Sequence, residues 1–365
     1  MKFSRKILKA LYFLAALYVF FLCIELMGDS FKLLGKDFAR HLLTITGNPI
    51  LGLMIGLLAT SVMQSSSSTT SIVVGMVAAG TLGIRSAIPI VMGANIGTTV
   101  TNALVSMGHI RRKKEFELSF SGAIVHDIFN LLTVILFLPL EVFFHPIEKT
   151  SRFVSSMLIG VKATTFHSPI KIIIKPVSHY IQHLGMEMIQ TKTVLATVLF
   201  ILAVILLIFS LSRMVKIMRG ALARRMEVLI DKYLFTGTSR ALLIGLILTS
   251  IVQSSSVTTS LIVPLLGVGI LKIEAAFPYM VGANIGTTVT AILASIATGQ
   301  TSAVTIALCH LFFNLFGTTV FLPLKSLPIF LAKKLGRAVS KRRWVALVYV
   351  LLIFFVIPGI LIAFF

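Results

Sequence analysis

"QSSSSTTS", residues 64–71, is a polar run between two apolar stretches, and it decides the fold of this chain. Its seven hydroxyl groups and one amide each need a hydrogen-bond partner away from water, because an unpaired buried polar group costs about 1–3 kcal/mol. The 365 residues are 57% hydrophobic and only 12% charged, with a mean hydropathy of +1.00. So polar a run in so apolar a chain indicates a functional use.

The composition indicates a membrane protein. Several apolar stretches, for example 11–27 and 193–211, approach the roughly 20 residues that cross a bilayer. A net charge of +21 would indicate nucleic acid for a soluble chain, but the Lys and Arg residues crowd into short segments between apolar runs. There they are typical of topology signals and of a face for anionic membrane lipid. We therefore predict an all-α, polytopic membrane protein without a nucleic-acid partner.

Two further features of the sequence favour simple interpretations. Cys23 and Cys309 lie far apart in apolar runs, which indicates packing rather than a disulfide or a metal site. The first apolar run is long for a signal peptide, and no typical cleavage site follows it. We expect an uncleaved first helix.

The chain contains an internal repeat. "QSSSSTTS" at 64 returns as "QSSSVTTS" at 253, and "GANIGTTVT" at 93 returns unchanged at 282, both at an offset of 189. Over 64–101 and 253–290, 22 of 38 positions are identical. A further pair, His126 with Asn130 and His310 with Asn314, continues the repeat at an offset of 184. Each copy is therefore about 90 residues long.

The charges of two equivalent loops predict the topology. "GHIRRKKE" (108–115) is basic and its counterpart "ATGQTS" (297–302) is uncharged. The positive-inside rule places the first loop in the cytoplasm, and counting crossings from the other basic segments places the second outside. The two copies are then inverted relative to each other, as in many secondary transporters. Segment 141–190, outside by this count, carries five Lys and Arg residues, including Lys149 and Lys162, against the rule.

We expect four segments along the chain. Residues 1–140 form the first transmembrane repeat with its leading helix, and 191–324 form the second, inverted repeat with its own leading helix. Residues 141–190 connect them, and the amphipathic part 168–184 lies along the membrane interface or forms an ordered loop. Residues 325–365 form a basic cytoplasmic segment and a final transmembrane helix.

The short apolar arms around the polar run predict a re-entrant hairpin. Arms 50–63 and 72–84, of 14 and 13 residues, fall short of a full span, and copy two repeats the arrangement with Pro264 in its second arm. Non-helical backbone at depth is tolerated only inside protein or facing a water-filled cavity. Two such tips entering from opposite sides are expected to meet near the midplane.

The "GANIGTTVT" segments are expected to be broken helices. Their glycines, Gly93 and Gly97 in copy one and Gly282 and Gly286 in copy two, permit backbone conformations that a helix avoids, although small-residue helix contacts are the alternative. A break exposes carbonyl groups that suit a small cation and N–H groups that suit an anion.

The paired "QSSS" motifs at 64 and 253 and "GANIGT" motifs at 93 and 282 resemble those of the type II sodium-dependent phosphate cotransporters and their bacterial relatives. The resemblance covers most of the chain, and it implies sodium-coupled symport of inorganic phosphate by alternating access across a plasma membrane, the inner membrane for a bacterial member. It implies that the two hairpins bind the substrate through Gln64, Ser65, Ser66, Ser67, Gln253, Ser254, Ser255 and Ser256. It also implies that the sodium ligands or their close neighbours are Asn95, Thr98, Thr99, Asn284, Thr287 and Thr288.

The resemblance further implies that sodium and phosphate are the ligands and that no other cofactor takes part. Many bacterial members carry a soluble C-terminal regulatory domain; this sequence ends in an apolar run, so we do not expect one. The oligomeric state stays open, with a homodimer among the possibilities.

The remaining polar residues have competing interpretations. His126 with Asn130 and His310 with Asn314 are spaced to share helix faces, which favours interhelical hydrogen bonds over a proton or metal role. Asp127, expected to be the one carboxylate of its helix, is a weaker functional candidate.

Three other functions compete with phosphate symport. The main one is sodium-coupled transport of another oxyanion or of a small organic anion. A passive anion channel would use the same donors. An intramembrane serine hydrolase with a histidine base is disfavoured, because the sequence contains no G-x-S-x-G elbow.

Overall fold

The protein is built from α-helices. The structure, a computed structural model, describes residues 2–159, 169–233 and 237–364. Across these ranges no strand forms, and the helices are α1 (Lys2–Thr46), α2 (Pro49–Met63), α3 (Ser66–Ala79), α4 (Ile84–Gly97), α5 (Val100–Ser106), α6 (Lys113–Phe144), α7 (Pro146–Ile159), α8 (Pro169–Met188), α9 (Lys192–Tyr233), α10 (Thr238–Val252), α11 (Ser255–Ser260), α12 (Val263–Gly267), α13 (Ile273–Thr298), α14 (Thr301–Phe321), α15 (Ser326–Lys341), α16 (Trp344–Leu351) and α17 (Ile357–Phe364). A π-helical turn, Leu352–Val356, joins α16 to α17.

Seven helical segments of the described chain are long and apolar enough to cross a membrane. They are Ile7–Leu34, Ile84–His109, Lys113–Phe144, Lys192–Ile217, Ile273–Thr298, Thr301–Phe321 and Trp344–Phe364. Four shorter apolar helical segments accompany them: Pro49–Met63, Ser66–Ala79, Thr238–Val252 and Ser255–Gly267. The prediction of an all-α, polytopic membrane protein is confirmed.

Helices α2 and α3 form a hairpin with the first QSSS motif at its tip. α2 ends at Gln64, whose backbone is left-handed with φ of 52°, and Ser65 caps the start of α3. The hydroxyl oxygens of Thr60 and Thr69 lie 2.9 Å apart. In a continuous helix, residues nine positions apart would be separated by about 13 Å. The chain therefore reverses direction at Gln64.

Copy two repeats this hairpin with the same local geometry. Gln253 is left-handed with φ of 60°, Ser254 caps the start of α11, and the hydroxyl oxygens of Thr249 and Thr258 lie 2.7 Å apart. The second arm is divided into α11 and α12 just before Pro264, because proline lacks the N–H that a continuous helix would need. The weakening expected from this proline is confirmed.

The predicted break in the GANIGTTVT helices is wrong for copy two. α13 runs without interruption from Ile273 to Thr298 through the whole motif. In copy one only Thr98 and Thr99 separate α4 from α5, and both keep right-handed helical dihedrals. The motif therefore frees few backbone groups for ligands.

The glycines of the motif serve close helix packing instead. A Cβ atom on Gly93 would collide with the backbone carbonyl of Leu53 in α2. The equivalent Gly282 faces the carbonyl of Leu242 in α10 in the same way. We call α4 and α13, which carry the GANIGTTVT segments, the motif helices. The first arm of each hairpin, α2 or α10, thus packs backbone against backbone on the motif helix of the same copy. This is the small-residue contact that was the alternative interpretation.

Ion pairs show where the two motif helices begin. Arg85, at the start of α4, lies 2.9 Å from Glu148, just beyond the end of α6. Glu274, at the start of α13, lies 2.5 Å from Lys333 in α15, and α15 also reaches Glu117 near the start of α6. Because α6 is 32 residues long, α4 and α13 begin at opposite ends of it.

Two predicted cytoplasmic segments lie together. The Arg343 guanidinium donates to the carbonyl of Arg111 at 3.2 Å, which joins segment 325–343 to loop 108–115. Within segment 141–190, α8 exposes large apolar side chains, including Ile172, Ile173 and Tyr180. Lys162 of that segment lies outside the described residues, and so do the basic side chains before Ile7 and those in 218–233.

Candidate substrate and sodium site

The tips of the two hairpins meet. Ser67 Oγ donates to the backbone carbonyl of Gln253 at 3.2 Å and lies 3.5 Å from the hydroxyl of Thr290. These contacts join residues 186 and 223 positions apart in sequence. The structure thus brings together the two QSSS motifs, which come from different copies.

Each tip presents the start of a helix to this junction. Ser66 and Ser67 open α3, and Ser255 and Ser256 open α11, and all four are buried. The first N–H groups of a helix have no partner within it, so they are available to an anion. The preceding serines are capping residues: the Ser65 hydroxyl accepts from the N–H of Ser68, and the Ser254 hydroxyl accepts from that of Val257.

The two tip glutamines differ in their surroundings. Gln64 is exposed, whereas Gln253 is 7% exposed and its Oε1 has no hydrogen-bond partner within the described ranges. Both adopt a positive φ, which is uncommon for a residue other than glycine. Such backbone strain is concentrated at functional sites.

The six residues that the resemblance implies for sodium are all buried, three of them in α4 or directly after it and three in α13. Each threonine hydroxyl donates to a backbone carbonyl three or four residues earlier: Thr98 to Ala94, Thr99 to Ile96, Thr287 to Ala283 and Thr288 to Ile285. A hydroxyl that donates in this way keeps oxygen lone pairs that accept a cation. The candidate ligands are therefore side-chain oxygens rather than carbonyls freed by a helix break.

The histidine and asparagine pairs connect the two copies. His126 of copy one hydrogen-bonds Asn284 of copy two, and His310 of copy two lies 3.4 Å from Asn95 of copy one. Asn130 joins both sides, since it donates to the Asn95 carbonyl at 2.9 Å and accepts from Asn284 at 2.7 Å. These contacts agree with the predicted interhelical hydrogen bonding.

This buried cluster keeps unused polar atoms. Nδ1 of His126, Nδ1 of His310 and Oδ1 of Asn314 have no hydrogen-bond partner in the part of the chain that the structure describes. Asn314 also donates to Asn95 Oδ1 at 3.3 Å, so Asn95 is shared by three side chains of the cluster. Asn95 and Asn284 thus belong to the interface between copies as well as to the predicted sodium set.

Asp127 lies beside this cluster. It is buried, the Tyr349 hydroxyl donates to its Oδ2, and the Thr99 side chain is within its hydrogen-bonding reach. Its Oδ1 has no partner within the described ranges. α6 also contains Glu115, Glu117 and Glu141, so the expectation of a single carboxylate in this helix is wrong, but these three lie towards the helix ends and Asp127 lies in the middle.

Lysine and arginine side chains form ion pairs at the ends of the helix bundle and not at the hairpin tips. Among the described residues, no Lys or Arg hydrogen-bonds either QSSS motif. Arg85, at the start of α4, pairs with Glu148. The tips and the central cluster thus offer neutral donors together with the carboxylate of Asp127.

Some residues at the junction had weaker sequence signals. Thr290 ends the duplicated nonamer, so the repeat itself marked it. Asn102 exchanges hydrogen bonds of 2.9 and 3.0 Å with Thr259, but copy two has Ala291 at the position equivalent to Asn102, so the repeat does not reveal this contact. Tyr349 comes from the last apolar helix, where no pattern distinguished it.

Known proteins match the chain along most of its length. A profile of the Na+/Pi-cotransporter family matches residues 19–166 and 206–341. Sodium-dependent phosphate transport protein 2B of Pongo abelii is 33% identical over 94% of this chain and 63% of its own length. Protein 2A of Rattus norvegicus is 33% identical over 97% of this chain and 67% of its own length, and that of Ovis aries is 35% identical over the same shares. No solved structure shows a significant match.

The chain spans about two thirds of the length of these relatives. The matched regions contain both QSSS tips, both motif helices and both histidine-asparagine pairs, which the fold joins into one buried junction. On this evidence the chain belongs to the Na+/Pi-cotransporter family.

Proposed function

We propose that the protein is a sodium-coupled symporter of inorganic phosphate. The single observation that carries the proposal is the contact between the two QSSS tips, Ser67 Oγ to the Gln253 carbonyl, in a chain whose relatives are named sodium-dependent phosphate transport proteins. A junction of two helix starts is a site for an anion that needs many donors.

Phosphate would bind between the tips. It presents several acceptor oxygens, and the serine hydroxyls, the glutamine amides and the first N–H groups of α3 and α11 all donate. These donor groups are neutral, so they do not balance the negative charge of the phosphate. Sodium bound nearby would balance it.

Sodium would bind around the motif helices. The side-chain oxygens of Asn95, Asn284 and the four threonines at positions 98, 99, 287 and 288 are hard ligands, and Asp127 adds a buried carboxylate within hydrogen-bonding reach of the Thr99 side chain. The anion then binds well only when the cations are bound, and the linkage acts equally in both directions. This reciprocity is the coupling that symport requires.

We propose alternating access through two inverted copies. α4 and α13 start at opposite ends of α6, and this arrangement supports the inversion. The exposed Gln64 and the buried Gln253 support a conformation in which the two tips differ in accessibility. Ion pairs of reversed polarity, Arg85 with Glu148 and Glu274 with Lys333, hold the two ends.

The test is uptake of labelled phosphate into proteoliposomes that contain the purified protein. Uptake should require an inward sodium gradient and should stop when potassium replaces sodium. Unlabelled phosphate should compete, and sulfate should not. Uptake that ignores the sodium gradient would indicate a channel, and stronger competition by sulfate or by a small organic anion than by phosphate would replace phosphate as the substrate.

A further inference from the structure

A groove runs along the membrane face of the protein between α1 and α9. It has a volume of about 620 Å³, within the range of ligand pockets in proteins. Lys9, Arg213 and Lys216 line one part of it, and Ala15, Ala16 and Phe209 line another. The groove is separate from the junction of the hairpin tips, and no step of phosphate transport described above uses it.

The cationic part of the groove lies where the two helices enter the hydrocarbon. Lys9 is two residues inside the span Ile7–Leu34, and Lys216 is one residue before the end of the span Lys192–Ile217. The N-terminal part of α1 and the C-terminal part of α9 therefore share one end of the bundle. Both belong to basic segments that the positive-inside rule assigns to the cytoplasm.

Among the side chains that the structure describes, these three cations have no acidic partner. Lys9, Arg213 and Lys216 are all exposed, and within the described ranges none forms an ion pair with Asp or Glu. The Arg213 guanidinium lies 4.8 Å from the centre of the Phe209 ring, a cation–π distance that holds it at the mouth of the groove. Three positive charges that lie close together without a negative partner favour the binding of an anion.

The apolar part of the groove extends from the cations towards the bilayer centre. Ala15 and Ala16 leave room because their side chains are small, and Phe209 forms a wall that is 51% exposed. The lining reaches Val19, ten residues beyond Lys9, which corresponds to about 15 Å along a helix. That is about half of the hydrocarbon thickness of a bilayer, the depth reached by one leaflet.

We propose that this groove binds an anionic phospholipid of the cytoplasmic leaflet. Its headgroup phosphate would contact Lys9, Arg213 and Lys216, and one acyl chain would lie over Ala15, Ala16 and Phe209. A soluble phosphate ion would make no contact with the apolar part of the groove. A zwitterionic lipid would leave the three positive charges unbalanced, whereas basic residues near a membrane surface attract anionic lipid.

The test is native mass spectrometry of the purified full chain, titrated with phosphatidylglycerol or with phosphatidylcholine of the same acyl chains. The wild-type protein should retain one phosphatidylglycerol molecule at least tenfold more tightly than phosphatidylcholine. Added inorganic phosphate should not displace it. Equal retention of the two lipids, or displacement by inorganic phosphate, would overturn the proposal.

Two variants test the two parts of the groove separately. The triple variant Lys9→Gln, Arg213→Gln, Lys216→Gln should lose the selective retention. Ala15→Phe keeps every charge but fills the apolar part of the groove at an exposed position. This variant should also lose the selective retention of phosphatidylglycerol. Retention unchanged in Ala15→Phe would show that the headgroup alone binds, and the proposed groove site would be wrong.

A matched control separates the groove from general surface attraction. The triple variant Lys113→Gln, Lys341→Gln, Arg342→Gln removes the same charge from exposed residues of the other basic segments. It should retain phosphatidylglycerol as the wild type does. Equal loss in the control and the groove variant would mean that net charge, not the groove, attracts the lipid.

Discussion

Two glutamines, Gln64 and Gln253, determine how the chain turns at the candidate site. Each adopts a left-handed backbone that costs of order 1 kcal/mol or more, and each is followed by a serine that caps the next helix. A glycine would adopt this conformation without strain. The presence of glutamine instead is best explained by a use for its side-chain amide.

Removing either amide should weaken phosphate binding. Gln64→Gly and Gln253→Gly keep the turn and delete one donor each, and hydrogen bonds to charged groups are worth about 1.5–3 kcal/mol. We expect the dissociation constant for phosphate to rise about tenfold to a hundredfold, measured by calorimetry in saturating sodium. Gln64→Ala and Gln253→Ala should show the same loss with an added cost in stability.

Ser68→Val provides the internal control for these variants, because copy two has Val257 at the equivalent position. The Ser68 hydroxyl donates to Ser65 at 2.8 Å rather than into the junction. Phosphate binding should stay near that of the wild type. Wild-type affinity in both glutamine variants, or loss in Ser68→Val alone, would contradict a two-tip site.

The histidines should act through stability. His126→Leu removes a buried hydrogen bond to Asn284 of the other copy and leaves the Asn284 Oδ1 unpaired, at a cost of about 1–3 kcal/mol. His310→Leu removes the contact with Asn95, whose Oδ1 still accepts from Asn314, so this variant should cost less. We expect a lower unfolding temperature in detergent and an unchanged sodium dependence of the remaining uptake. A shifted pH profile of uptake with normal stability would instead indicate a proton role.

At the scale of helices, glycine contacts hold each hairpin on its motif helix. Gly93→Ala and Gly282→Ala would drive a Cβ atom into a backbone carbonyl, which cannot move aside as a side chain does. We expect each to cost about 1–3 kcal/mol of stability or more, measured by thermal unfolding. Gly28→Ala is the control, since nothing lies within 4 Å of its added Cβ and alanine favours a helix. Tolerance of both motif substitutions would contradict the close packing.

The ion pair between α4 and α7 should weaken in acid. Burial raises the pKa of Glu148, but hydrogen bonds from Arg152 and Arg85 outweigh it and hold the pKa below its ordinary value. A carboxylate whose pKa is lower in the folded state stabilises the fold above the unfolded pKa, near 4.5, and loses that contribution as pH falls through the folded pKa.

Glu148→Gln measures this contribution directly. The variant should be about 1.5–3 kcal/mol less stable than the wild type at neutral pH, since the buried carboxylate accepts from two guanidinium groups. The difference should shrink in acidic solution, as pH falls through the folded pKa of Glu148. Glu274→Gln, at an exposed pair, should cost less than about 1 kcal/mol. A difference that does not shrink in acid would contradict the assignment.

At the scale of the whole molecule, the proposed inversion of the two copies predicts that equivalent loops lie on opposite sides of the membrane. After replacement of Cys23 and Cys309, single cysteines introduced as Lys113→Cys and Gln300→Cys should react with a membrane-impermeant reagent from opposite sides of the membrane. Lys113 starts α6, and Gln300 follows the end of α13, which begins near that same start. Labelling from one side only would contradict the inverted arrangement.

The sequence by itself determined the membrane class, the repeat, the hairpins and the residues at their tips. Each of these depends on local properties: apolar run length, the identity of two motifs, and the short arms on either side of "QSSSSTTS". The sequence also predicted that His126 and His310 form hydrogen bonds between helices, because four-residue spacing places each histidine and its asparagine on one helix face.

Only the tertiary structure decided the role of the motif glycines and the partners of each polar group. Gly93 and Gly282 permit either a break or a close contact, and the choice depends on whether another backbone approaches, here that of α2 or α10. The contact of Asp127 with Tyr349, and the different exposure of Gln64 and Gln253, likewise depend on neighbours that are distant in sequence. Local patterns specify which groups need partners, and packing of the whole chain decides which partners they receive.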